Sequence, residues 1–258
     1  MNRTIMICLA VLLVLGLSAC AQTDSKAAAE QSAVPSTADS TEQNVLPEST
    51  EPPAPEMIDF EVNRYAVTAG AAAYLGGAEE QYKALVDAIC SKKETEPYTD
   101  EDAAKRAAEV FAETPYSALA EVTAKDGAFQ IAYTGSGDAD TFDAAVKALV
   151  ESCVYKDANE AEKALSLYRT VASEFAQEGG ENGSLYKTVT EQKGSAEDLA
   201  NALTYLFVQN GISADRVSGM VGESKRSWTA AELSGIGIIL MPQRKNTQRT
   251  DMVCSISA

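Results

Sequence analysis

Residues 194–212 read GSAEDLANALTYLFVQNGI. Leu199, Leu203, Leu206 and Phe207 recur at helical spacing, so 196–209 is a helix with a buried stripe. Ser195 stands at its N-cap with Asp198 three residues on, the pattern of a capping box. Gly211 supplies the stop.

Beyond that stop the period falls to two. Strands are expected at about 214–221, 226–233, 236–241 and 249–256. Upstream the chain is mainly helical. Residues 61–93 carry apolar turns (Tyr65, Leu75, Tyr82, Leu85, Val86, Ile89), with a break expected at Gly70, Gly76 and Gly77. A helix at 100–113 opens with Thr99 and Asp102 read as its capping box. Residues 117–123 and 128–134 flank Lys125-Asp126-Gly127, a hairpin signal. Helices follow at 138–153 and at 158–177. Asp157 is the candidate cap of the second, Gly179-Gly180 its end, and 184–192 is a turn. Helices first and an antiparallel sheet last make the fold class α+β.

The first residues have another character. Asn2 and Arg3 precede an unbroken apolar run, Ile5 to Leu17, which is shorter than the roughly 20 residues of a membrane-spanning helix and suits a secretory signal. Leu17-Ser18-Ala19-Cys20 resembles the bacterial lipobox, in which a cysteine is diacylated and becomes the N-terminus. The expectation is a signal at 1–19, lipid on Cys20, and anchorage to the outer side of a membrane without crossing it. Two acyl chains hold far better than one, since each buried CH2 contributes about 0.8 kcal/mol. Residues 20–56 hold five of the eight prolines (35, 47, 52, 53, 55) and no periodic apolar pattern, so they are expected to form a disordered tether. The folded part is expected from 57, with 57–154 as a helical and hairpin accessory region and 155–258 as the main domain.

Composition bounds the chemistry. The net charge is −17, with no basic stretch, which argues against nucleic acid and against electrostatic adhesion to anionic lipid. The chain has no histidine, so Ser-His, Cys-His and His-metal mechanisms are excluded. Cys90, Cys153 and Cys254 are not spaced as zinc ligands and read as small apolar fillers, with a 90–153 or 153–254 disulfide left open. No metal or cofactor is expected.

Residues 155–241 resemble the bacterial transglutaminase-like domain, a branch of the papain-like cysteine fold. The likeness rests on Tyr186, Lys193-Gly194, Glu197, Ala200, Ala202-Leu203, Leu206, Gly211-Ile212, Ala214, Val217 and Gly219. It implies a core of helices packed on a C-terminal antiparallel sheet. The family's catalytic cysteine, histidine and aspartate then fall on Ala196, Arg226 and Met241. Ala196 has no nucleophilic atom, Arg226 cannot act as a base, and Met241 cannot orient one. The resemblance therefore implies a pseudoenzyme that binds peptide or cell-wall material.

Three groups keep two readings each. Ser195 either caps its helix or replaces the missing nucleophile with Lys193 or Lys225 as base. Trp228 either lines a peptide groove beside the old cleft or fills the space between sheet and helix. Arg226 either donates to a carboxylate ligand or to a local acid such as Glu223. Ser195, Arg226 and Trp228 are thus the candidate ligand-binding residues. A residual Ser195-dependent hydrolase or amide transferase, and a structural envelope protein without ligand, stand as the alternatives.

Overall fold

Helix α7 (Ala196–Gln209) buries ten of its 14 residues. Leu199, Leu203, Leu206 and Phe207 are inside as their spacing demands, and Ala200, Ala202, Thr204 and Tyr205 are inside too. A helix apolar on nearly all sides must be covered on nearly all sides. Strands β6 (Ser213–Val221) and β7 (Ser224–Leu233) cover one face, and helices α5 (Glu160–Glu174) and α6 (Leu185–Glu191) pack against others. Each large apolar side chain so buried stabilises by roughly 1.5–3 kcal/mol.

A computed structural model describes residues 55–179, 183–240 and 254–256, all within a unit that begins at Pro52. Cys20, the signal at 1–19, most of the tether and Met241 lie outside the described residues. The fold is α+β. An antiparallel sheet runs in the order β6-β7-β8-β9, with β8 at Ile236–Leu240 and β9 at Cys254–Ile256. The turn after α7 is closed by the Ile212 amide donating to the Phe207 carbonyl at 3.0 Å, so β6 doubles back along the helix.

Register assigns the two sheet faces. Thr229 meets α7, its hydroxyl donating to the Ala200 carbonyl at 2.9 Å. Strand alternation puts Ser227 and Ala231 on that face, and Arg226, Trp228 and Ala230 on the opposite one. Burial follows the alternation: Ser227, Thr229 and Ala231 are buried, the other three only half so.

The N-terminal elements are α1 (Ala69–Leu75), α2 (Glu79–Cys90), β1 (Thr95–Pro97), α3 (Glu101–Ala112), a 3-10 turn (Pro115–Ala118), β2 (Ala120–Lys125), β3 (Ala128–Tyr133) and α4 (Ala139–Cys153). Strands β1, β3 and β2 form a second antiparallel sheet in that order. Among the described residues the elements of 57–154 and of 155–240 share one core. One continuous apolar cluster runs from Phe60 to Leu240, and Met57 bridges back to Tyr155.

Several local expectations shift. Residues 61–68 are not helical, and the first helix begins only after Thr68 caps it. Asp100, rather than a Thr99–Asp102 box, caps α3, taking the amides of Asp102 and Ala103. Asn159, not Asp157, caps α5 in a full box with Glu162. The expected turn at 184–192 is α6, capped by Ser184. Strand β1 is three residues long and ends in Pro97, a poor strand former that is tolerated at a sheet edge, so no alternation announces it. Short β4 (Ala176–Gln177) and β5 (Lys193–Gly194) pair in parallel just before α7.

Candidate functional site

The first turn of α7 is the place where the transglutaminase-like resemblance puts a nucleophile. There the Ser195 hydroxyl accepts the Asp198 amide at 3.1 Å, and the Asp198 carboxylate accepts the Ser195 amide at 2.9 Å. The same carboxylate oxygen takes the Gly183 amide at 3.0 Å. Asp198 is only 5% exposed, so it works as a buried fastener of the preceding loop rather than as a free acid. Glycine is required at 194 because a Cβ there would sit 2.7 Å from the Asp198 Cβ. Lys193 pairs with Glu191 at 3.1 Å; that bond raises its pKa and keeps it protonated, the reverse of what a base needs. The Lys225 side chain lies outside the described residues.

Ala196 and Arg226 do not share a cleft. Arg226 stands opposite Gly219 on the sheet face turned away from α7, and Ser227 is the residue that looks toward the helix. Trp228 shares Arg226's face, its ring lying across Gly219 with Cζ3 3.0 Å from where a Cβ would stand. It therefore neither fills the space between sheet and helix nor lines a cleft beside Ala196. Met241, the third position, lies outside the described residues.

Cys90 and Cys153 are free, half-buried thiols, which removes both disulfides left open by the sequence. Burial is the chief reason that each has a raised pKa, so both are poor nucleophiles. Among the described residues no group of acidic or cysteine side chains is arranged to hold a metal ion, and no helix is long and apolar enough to cross a membrane.

A polar cluster around half-buried Asp143, absent from every motif in the sequence, ties the N-terminal half together. Asp143 on α4 accepts from Arg64 Nε at 2.5 Å and from the Tyr116 hydroxyl at 2.6 Å. Arg64 also donates to Asp140 at 2.6 Å. Burial disfavours the guanidinium charge, but these bonds outweigh it and hold the pKa above its ordinary value. Burial pushes the hydroxyls of Tyr116, Tyr82 and Tyr205 well above the usual tyrosine range, with the Asp143 charge adding to it at Tyr116 and Tyr205. Groups so firmly protonated do no acid–base work near neutral pH. The cluster binds the 60s loop, α4 and the 3-10 turn together.

Next to it opens a groove of about 440 Å³. Helix α7 gives the floor through Asn201, Thr204, Tyr205 and Val208. Ala66, Val67, Ala71 and Tyr74 form the wall before and along α1, and Val110 and Pro115 form the wall at the end of α3. Glu109, Glu113, Asp215 and Arg216 stand at the rim. The rim is held in place: the Tyr74 hydroxyl donates to Glu109, and the Gly70 amide donates to Asp215 at 3.1 Å. Thr204 is fixed from below, its hydroxyl donating to the Ala200 carbonyl at 2.9 Å, beside Thr229. Apolar walls with a few convergent polar groups, at this volume, are the ordinary form of a small-ligand site.

The groove holds none of the three candidate ligand-binding residues. Its walls come from three stretches more than 30 residues apart, so no local motif signals it. The one hint in the sequence is that Asn201 and Thr204, three apart, interrupt an otherwise apolar run from 199 to 208. No protein-family model matches the chain, and no curated protein matches it.

Proposed function

We propose that the chain is an envelope lipoprotein, diacylated at Cys20, whose folded body binds a ligand and catalyses no reaction. In this reading the transglutaminase-like likeness is confined to the α7–β6 segment, since Ala196 and Arg226 do not share a cleft, and the groove over α7 holds peptide or cell-wall material. The observation that carries the proposal is the contrast between two places on α7. Its first turn is tied up by the reciprocal Ser195–Asp198 box and borders a pocket of only about 150 Å³, whereas its 201–208 face floors an apolar groove of about 440 Å³. The lipobox-like Leu17-Ser18-Ala19-Cys20 supports the anchoring half.

Hydrogen exchange of the full chain, with and without soluble peptidoglycan fragments, tests the binding half. Protection is expected in 66–74, 108–115 and 201–208, with no change in the fragments themselves. Hydrolysis or amide transfer that disappears in Ser195→Ala would replace this proposal with the residual-enzyme alternative. Absence of any protection would favour the structural envelope protein.

A further inference from the structure

We infer that the groove selects ligands joining an apolar body to a protonated amine or guanidinium; this rests on the binding reading above and names the ligand's chemical class. The walls can take the body: Val67, Val110, Val208 and the ring of Tyr74 present carbon. The rim supplies the charge preference. Three of its groups are carboxylates, against the single guanidinium of Arg216. Arg216 neutralises only in part, approaching Glu113 no closer than 3.8 Å. Arg106, nearby on α3, is committed to the Leu75 carbonyl at 3.0 Å.

Helix α3 adds a second, independent contribution. Its C-terminal end lies at the groove, where the aligned peptide dipoles give a partial negative charge that the Glu113 and Thr114 amides, donating to Val110 and Phe111, offset only in part. Helices usually place a base there, but the last turn of α3 has none and carries Glu109, with Glu113 as its C-cap. Glu109 takes the Tyr74 hydroxyl and Asp215 the Gly70 amide, neutral donors that leave the carboxylate charge in place, and Glu113 faces Arg216 at 3.8 Å. Glu109 and Glu113 on the negative end of a helix therefore keep an excess of negative charge. An ammonium between Glu109 and Glu113, with its carbon chain on Val110 and Val208, meets both the charge and the apolar surface. An anionic ligand would meet the same groups with like charge.

Amide NMR of the full chain, titrated with 4-phenylbutylamine, 4-phenylbutan-1-ol and 4-phenylbutanoate, tests this. The three probes share one apolar body and differ in charge. The amine is expected to shift Gly70, Ala71, Val110 and Val208 saturably, and to bind at least about fivefold more tightly than the carboxylate, the scale of two or three exposed charge contacts. Glu113→Gln should bring the amine toward the alcohol, and added salt should do the same. Equal binding of amine and carboxylate in the groove would overturn the charge inference and leave the groove reading standing. Amine shifts scattered over the acidic surface and insensitive to Glu113→Gln would overturn it too. If no probe shifts the groove, or if Ala71→Phe leaves the shifts intact, the groove reading itself falls. Ala66→Phe serves the same purpose should Ala71→Phe not fold.

Discussion

Ser195 and Asp198 hold each other's backbone amides, at 2.9 and 3.1 Å, and so close the first turn of α7. Ser195→Ala is expected to cost about 1 kcal/mol, the value of one cap. Asp198→Ala should cost more, about 1–3 kcal/mol, because the amides of both Gly183 and Ser195 lose their acceptor. Urea unfolding checks the order. Equal costs would mean that the loop at 183 does not depend on Asp198.

Two glycines should respond differently to a methyl group. Gly194→Ala drives a Cβ to 2.7 Å from the Cβ of Asp198, which the capping box cannot yield, so about 1–3 kcal/mol of destabilisation is expected. Gly219→Ala meets the edge of Trp228 at 3.0 Å on a half-buried face where the ring can move. It should cost less and should shift the emission of the chain's only tryptophan. An unchanged emission would place Trp228 elsewhere.

Much of this arrangement is legible in the sequence. The α7 cap, its apolar stripe and its stop are local, and local spacing finds them. The hairpin at Asp126-Gly127 is also local, with both residues at positive φ as the motif demands. Trp228 is different: its side of the sheet follows from its pairing with Val217, a register that the sequence does not state. The Asp143 cluster and the groove are further still from sight. Each joins residues dozens of positions apart, such as Arg64 with Asp143 and Ala71 with Val208, and neither has a periodic or spaced signature.

The Asp143 cluster predicts a large cost for a single change. Asp143→Ala leaves Arg64 without its Nε partner and Tyr116, 1% exposed, without an acceptor. About 2–4 kcal/mol of lost stability is expected. Tyr116→Phe removes one bond and leaves Arg64 paired, so it should cost roughly 1–2 kcal/mol. A smaller effect for Asp143→Ala than for Tyr116→Phe would contradict this hierarchy.

Alkaline pH should unfold the protein through its buried tyrosines. Tyr82, Tyr116 and Tyr205 have pKa values raised above the unfolded value of about 10, chiefly by burial. A raised pKa contributes stability that is complete below the unfolded pKa and lost as pH climbs toward the folded one. Stability should therefore hold to about pH 10 and then fall. Absorbance at 295 nm should show these three ionising only with unfolding. Their titration near pH 10 in a folded chain would refute it.

Anchorage predicts that Cys20→Ser releases the chain from the membrane fraction and leaves its unfolding curve unchanged. Firm retention of that variant in washed membranes would remove Cys20 as the anchor.

The most direct test of binding without catalysis sets the two places on α7 against each other. Hydrogen-exchange protection by peptidoglycan fragments is measured for the full chain, for Ala71→Phe and for Ser195→Ala. Protection of 201–208 is predicted to persist in Ser195→Ala and to vanish in Ala71→Phe. Protection that survives the filled groove and is lost with Ser195 would contradict the account and return the site to the first turn of α7.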